Sequence, residues 1–233
     1  PSPDEVRAIL AGQVNTLSQS GLKAEIAFFG GSFTAVDKEY RRALLYAASE
    51  YVKEFPEQYA GIRCSTRPDC IDENIMDELM LYGVTAVELG AQSMNDEVLG
   101  ANLRGHTAED VRRASRLIKS YGIELGLQMM TGLYKDKPSY CIETAREFAE
   151  LKADTVRIYP TVILKGTMLD DLRKQGLYES FSFEETVDLC AELLLFFEEK
   201  NIPVIRLGLH ASEGVEEQMT GGVYHQALGE IVR

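Results

Sequence analysis

Apolar and polar positions along the chain switch repeatedly between a helical period and short apolar runs. Val6, Ile9, Leu10, Val14 and Leu17 share one helical face, and Ser2, followed by Pro3 and by Glu5 three residues on, reads as an N-cap with a capping box. The run 25–29 is short and apolar and is stopped by Gly30-Gly31, the pattern of a buried parallel strand opening into a loop. Asp37 then caps a helix to about Phe55, a strand at 61–66 stops at Arg67-Pro68, and Asp72 caps a helix that Gly83 closes. A third strand spans 84–90. Thr107 with Asp110 makes a capping box for a helix to Tyr121, closed by Gly122, and a fourth strand spans 123–130. Pro138 opens a helix to about Lys152, and a fifth strand at 155–159 halts at Pro160. Ser182 with Glu185 opens a helix through Leu189, Leu193 and Phe196 to Lys200; a sixth strand at 202–207 precedes a polar, Gly-rich tail from Ala211.

Strands and helices taken in turn predict parallel strands joined by right-handed crossovers. A barrel and an open doubly wound sheet both fit that order. Gly30-Gly31 lacks the third glycine and the acidic ribose reader of a dinucleotide fingerprint, which favours an α/β barrel or partial barrel. A length of 233 residues with 45% hydrophobic and 26% charged positions suits one such core. Lys and Arg number 24 against 37 Asp and Glu, a net charge of −13, so the segment as a whole does not attract a polyphosphate backbone nonspecifically. A nucleic-acid contact would need a local basic patch such as Arg112, Arg113, Arg116 and Lys119. The longest apolar stretch, around 193–197, is far short of the roughly 18 residues that cross a membrane. Cys64, Cys70, Cys141 and Cys190 are too scattered for a secreted disulfide framework, and a reducing cytoplasm is the expectation. The spacing of Cys64 and Cys70 fits neither a zinc ribbon nor a common iron–sulfur loop, so no metal ligand is expected among the four.

In such a barrel the reacting groups stand on loops after the strand C-terminal ends. Gly30-Gly31-Ser32-Phe33-Thr34 can bring bare backbone close to a ligand, although a tight turn reads the same way. Ser65-Thr66-Arg67-Pro68-Asp69 puts a hydroxyl pair, a cation and a carboxylate at one rim; a surface ion pair at a Pro-stiffened loop is the plain alternative. Gln92 and Ser93 directly follow the third strand, where a mere turn more often carries Asn or Asp. Arg104, ahead of a helix N-cap, offers a planar fork to a carboxylate or is a solvated loop charge. Gln128 is polar within an apolar run and, if inward, must be hydrogen-bonded. Tyr159 ends the fifth strand, Arg206 and His210 bracket the end of the sixth, and His225 carries no signal.

Taken in order, Phe28-Phe29-Gly30-Gly31-Ser32-Phe33-Thr34, Ser65-Thr66-Arg67-Pro68-Asp69, Glu88-Leu89-Gly90-Ala91-Gln92-Ser93, Arg104-Gly105-His106-Thr107 and Arg157-Ile158-Tyr159-Pro160-Thr161 resemble the radical S-adenosylmethionine (radical SAM) enzymes. The nearest branch holds the catalytic subunit of Elongator and proteins like the oxygen-independent coproporphyrinogen oxidases. The resemblance covers about Ala24 to about His210. It implies a partial (β/α)6 barrel as a core over 1–210, with 211–233 as a tail or the start of a C-terminal extension. It also implies S-adenosylmethionine and a [4Fe–4S] cluster as cofactors, the cluster reducing the sulfonium to a 5′-deoxyadenosyl radical that abstracts hydrogen from substrate. It matches Gly30 and Gly31 to the pair that receives the methionine amino group, with Ser32 where the family usually has Glu. It matches Gln92 and Ser93 to the ribose or methionine part, and Arg104 to the methionine carboxylate. Gln128 with Met130 fall where ribose and adenine are held, Tyr159 near the adenine, and Arg67 with Thr66 along the same cavity. The family's Cys-x3-Cys-x2-Cys does not occur in the chain, and the resemblance puts it, with the first barrel strand, before Pro1; the chain alone is expected to be inactive. The implied partners are an electron donor and a substrate, tRNA among the candidates, with no membrane; a tetrapyrrole-type oxidase and a cluster-less binding barrel are the alternatives.

Overall fold

The computed structural model describes residues 1–209 and 214–232. The elements in chain order are α1 (Pro3–Ser20), β1 (Ala24–Phe28), α2 (Lys38–Glu54), β2 (Tyr59–Thr66), α3 (Glu73–Leu81), β3 (Val84–Gln92), α4 (Asp96–Ala101), α5 (Ala108–Ser120), β4 (Glu124–Thr131) and α6 (Pro138–Glu150). They continue as β5 (Thr155–Pro160), β6 (Val162–Leu164), α7 (Met168–Lys174), α8 (Phe183–Glu199), β7 (Val204–Leu207), α9 (Val215–Gln218), β8 (Met219–Gly222) and α10 (Leu228–Ile231). His210 and the start of the segment read as a tail, 211–213, lie outside the described residues.

The caps read from the sequence hold the helix starts. Ser2 and Glu5 exchange side-chain-to-backbone hydrogen bonds at α1, as Ser182 and Glu185 do at α8. Thr107 and Asp110 do the same at α5: Asp110 accepts from the Thr107 N–H at 2.9 Å, and Thr107 Oγ1 accepts from the Asp110 N–H at 3.2 Å. Asp37 and Asp72 cap α2 and α3.

Six strands form one sheet in the order β1-β2-β3-β4-β5-β7. The pairs β1–β2, β2–β3, β4–β5 and β5–β7 are parallel. A doubly wound sheet reverses its strand order at a switch point; this order never reverses, and the fold is α/β of the partial-barrel class. One expectation changes. β1 is an outer strand of the order, and in it only Ile26 is buried, whereas the apolar run suggested a strand buried throughout.

The chain divides into two compact units, Pro1–Gly90 with Arg113–Leu125, and Ala91–Arg112 with Gly126–Arg233. In the first, Leu45, Ile62, Ile71, Met76, Leu79 and Leu89 are fully buried, and the Tyr59 hydroxyl ties β2 to α1 by donating to the Leu10 carbonyl at 2.6 Å. In the second, Phe148 of α6 and Phe197 of α8 are the largest fully buried side chains. The same unit carries an antiparallel ribbon of β6 and β8. Asp170 of α7, 0% exposed, anchors that ribbon: its carboxylate accepts from Lys174 Nζ at 2.6 Å, from the Gly166 N–H at 3.1 Å and from the Thr220 hydroxyl at 2.8 Å. Lys174 foremost, then those two donors, holds the Asp170 carboxyl well below the usual carboxylate range.

Candidate functional site

In the first unit the loop after β1 begins with Gly30 and Gly31 at φ of +108° and +136°, a backbone open to glycine and strained for other residues. Both are exposed, and a Cβ on either would meet nothing within 4 Å, so the turn leaves open space over bare backbone. Its far end is pinned by a buried cation. Arg41 of α2 donates to the carbonyls of Thr34 at 2.8 Å and Val36 at 3.3 Å and pairs with Glu78 of α3 at 2.6 Å. Ser32 is half-buried between pin and turn.

Thr66, at the end of β2, is 3% exposed, and its hydroxyl lies 2.6 Å from that of Thr34. Because Thr34 Oγ1 donates to the Cys70 carbonyl at 2.7 Å, Thr66 is the donor of the pair, and its proton is committed within the fold. Arg67 is committed as well. Its Nε donates to Asp69 Oδ1 at 2.9 Å and a second nitrogen pairs with the other oxygen, so the Pro-stiffened rim carries the local ion pair that was its plain alternative.

In the second unit β3 ends at Gln92, which has φ of +68° and is 9% exposed. Ser93 is 3% exposed, and its hydroxyl accepts from the Asn95 N–H at 3.2 Å. Arg104, half-buried, follows α4, where its own N–H donates to the Leu99 carbonyl at 3.1 Å. Two residues on, His106 is 5% exposed with Nε2 3.0 Å from the Ala91 carbonyl. On β4, Leu127 and Met129 are fully buried, and the alternate residues Gln128 and Met130 are half-buried on the opposite face. The parallel register sets Gln128 beside Arg157 and Met130 beside Tyr159, and Arg157 beside Arg206 of β7. Gln128, Met130 and Tyr159 therefore share one face near the strand ends.

Sequence reasoning passed over two features. One is His106, quoted within a motif but not selected. The other is a charge cluster around a buried arginine in the first unit: Arg63 of β2, 7% exposed, reaches the exposed Glu25 at 3.0 Å, the half-buried Glu124 at 2.8 Å and the buried Glu88 at 3.5 Å. Burial works against the Arg63 charge, but hydrogen bonds to Glu124 and Glu25 outweigh it and raise its pKa. A single charged residue inside each of several apolar runs was the legible signal.

Among the described residues no group of three or more His, Cys, Asp or Glu could hold a metal ion. Burial pushes the Cys64 and Cys190 thiols up to about 12, and burial followed by Asp136 pushes Cys141 up further. Cys70 alone is not fully buried. The native chain is therefore expected to react with a small alkylating reagent at pH about 8 at Cys70 only, and at all four cysteines once unfolded, because thiolate fraction and access control the rate; mass spectrometry after brief exposure reads the count, and rapid labelling of Cys64 in the native chain would contradict the packing described.

These strand-end features can be set beside known proteins. The family model described as the Radical SAM superfamily matches residues 6–148, and that of the Radical_SAM C-terminal domain matches 153–233. The chain belongs to the radical SAM superfamily. Radical SAM proteins are enzymes, and the relatives bear on which kind. Elongator complex protein 3 of Saccharomyces cerevisiae is 31% identical over 227 residues, covering 82% of this chain and 40% of that protein. A tRNA uridine(34) acetyltransferase of Methanocaldococcus jannaschii is 30% identical over 187 residues, 72% of this chain and 35% of that one. This radical SAM chain thus spans well under half the length of those relatives. Among solved structures, the Elp3 of Methanocaldococcus infernus with an N-terminal deletion has a TM-score of 0.80 at 24% identity, over 100% of this chain and 60% of that one. The coproporphyrinogen III oxidase of Escherichia coli, a radical SAM enzyme, has a TM-score of 0.57 at 18% identity, over 85% of this chain and 46% of that one. Both likenesses speak to fold alone. No described helix is long and apolar enough to cross a membrane.

Proposed function

We propose that the chain is the S-adenosylmethionine-binding core of a radical SAM enzyme of the Elongator type, acting as part of a longer protein on tRNA. The observation that carries the reading is the pair of positive-φ glycines with open space above them, at a strand end in a chain of this superfamily. A sulfonium nucleoside with an amino-acid tail needs bare backbone for its ammonium, a fork for its carboxylate and polar groups for its ribose. Gly30 and Gly31 supply the first through their carbonyls, with Ser32 beside them. Arg104 supplies the second. Gln92, Ser93 and Gln128 supply hydrogen bonds, and Met130 and Tyr159 supply apolar surface for the adenine; Thr66 and Arg67, engaged as described, shape the rim rather than bind.

When bound, S-adenosylmethionine supplies the hydrogen-abstracting radical chemistry of this superfamily once an electron donor and a [4Fe–4S] cluster act on it. The described residues do not fit such a cluster, since the thiols are dispersed and mostly buried. The tRNA reading rests on the names of the two relatives, and a net charge of −13 argues against nonspecific phosphate contact by this chain as a whole.

Equilibrium dialysis of S-adenosylmethionine against the chain tests the core of the proposal. Arg104→Ala is expected to weaken binding by about 1.5–3 kcal/mol, the range for a hydrogen bond to a charged group. Unchanged binding would remove Arg104 from the site. For the longer protein, anaerobic reconstitution with iron and sulfide followed by reduction is expected to release 5′-deoxyadenosine from S-adenosylmethionine; a formed cluster with no such product would refute the radical reading.

A further inference from the structure

At the end of β3, Ala91, Gln92 and Ser93 close a three-residue turn. The Ser93 N–H donates to the Ala91 carbonyl at 2.8 Å across Gln92, whose φ is +68°. A bond from residue i+2 to residue i about a positive-φ centre is the rarer, strained form of the γ-turn, unfavourable for any side chain but glycine. Such strain persists only where the surroundings over-determine it. His106 is one surrounding group that does so, beside Thr144, whose hydroxyl accepts from the Met94 N–H at 3.0 Å. The His106 Nε2 lies 3.0 Å from the same Ala91 carbonyl oxygen, which already accepts from Ser93. A carbonyl only accepts, so Nε2 carries a ring proton and donates.

Nδ1 is itself buried and has no hydrogen-bond partner. The ring thus has one polar contact, to the turn, and no exposed nitrogen with which to touch a ligand. The loop that carries it is fixed independently: the Ala108 N–H donates to Asp96 Oδ1 at 2.7 Å, and Asn102 Nδ2 donates to the Tyr134 carbonyl at 2.9 Å. A rigid loop therefore delivers a single donor to the carbonyl of a strained turn.

We infer that His106 is a positioning residue, a latch that holds the Ala91–Ser93 turn shut and so fixes where Gln92 presents its amide to S-adenosylmethionine. The latch stands on geometry alone; its consequence for the ligand rests on the function proposed above.

Three variants of the whole chain test it. In His106→Gln the amide nitrogen can reach the place of Nε2, in His106→Asn it falls one carbon short, and His106→Leu has no donor. The first readout is exchange of the Ser93 amide proton, followed by NMR. It is expected to be about tenfold faster in the Asn and Leu variants, as for one lost hydrogen bond, and near wild type in the Gln variant. Equal rates in all forms, or the same acceleration in Gln as in Leu, overturns the latch. If the Leu variant does not fold, the Gln and Asn pair decides. The second readout is dialysis of S-adenosylmethionine, expected to weaken about tenfold in the same two variants. Ordered exchange with unchanged binding removes the link to the ligand, and ordered exchange with no binding even by wild type overturns the proposed function while the latch stands.

Discussion

Replacing Arg41 by methionine is expected to lower the unfolding free energy by about 3–5 kcal/mol, the cost of removing one partner of a buried ion pair. The Arg41 and Glu78 side chains are each 6% exposed and meet at 2.6 Å. Without the guanidinium, Glu78 keeps only the more exposed Arg42, at 2.8 Å, and the carbonyls of Thr34 and Val36 lose their donor. Those carbonyls are the far end of the Gly30-Gly31 loop, so S-adenosylmethionine binding should weaken along with stability. The effect carries a pH signature. Burial alone would raise the Glu78 carboxyl, but Arg41 and Arg42 outweigh it and hold it below the usual carboxylate range. A group depressed in this way stabilises the fold above its unfolded value, about 4.3, and the stabilisation is lost as pH falls through the folded value. The gap between wild type and Arg41→Met, measured by urea unfolding across pH, should therefore be widest near neutrality and narrow below about 4.3. Adding Glu78→Leu should recover much of the loss, because an apolar pair of similar volume is often neutral where a stranded charge is not. A double variant as unstable as the single would shift the cause to the two orphaned carbonyls.

The outline of the helices was legible because caps and apolar runs are local. Ser2 with Glu5, Asp37, Asp72, and Thr107 with Asp110 each start the helix they announced. Strand ends were less exact: β3 continues through Ala91 and Gln92, since a polar residue at a strand end can stay in the ladder while its side chain turns to other use. The strand-end clusters were legible as positions, and their chemistry only in part. Nothing local reveals that Thr66 spends its proton on Thr34, or that Arg67 is held by Asp69. The Arg63 cluster failed to register for a different reason. Each charge lies inside an apolar run on its own strand, and only pairing in register brings Glu25, Arg63, Glu88 and Glu124 together. His106 was hidden likewise, because its partner is a backbone carbonyl 15 residues away.

Residues 211–233, read as a tail or the start of a C-terminal extension, include the strand β8, and Gly222→Ala exposes why that strand needs glycine. The substitution is expected to cost about 2–5 kcal/mol, combining strain at positive φ with forced overpacking. Gly222 has φ of +82°, and a Cβ there would lie 2.2 Å from the Thr161 carbonyl oxygen. That oxygen has little room to retreat, because the Thr161 N–H and hydroxyl both donate to the Thr131 carbonyl, at 2.9 and 2.8 Å. Gly166→Ala is the matched control: φ is +77° with nothing within 4 Å, so it carries the backbone strain without the clash and should cost about 1–2 kcal/mol. Paired denaturant unfolding reads the difference, and equal losses would show that β8 does not press on Thr161 in solution. Glycines at 221 and 222 looked like loop composition, yet the space beside β6 admits a strand only if it lacks side chains at those positions. A Cβ at Gly221 would likewise lie 3.0 Å from Ile163 and 3.2 Å from Arg173. The glycine richness is what lets residues 219–222 pair, and Thr220 between them reaches Asp170 at 2.8 Å. A segment that reads as a tail is thereby fastened to the same Thr131–Thr161 corner at which β4 and β5 end, the neighbourhood of Met130 and Tyr159. Loss of the ribbon in Gly222→Ala should for that reason disturb Met130 and Tyr159 as well as stability.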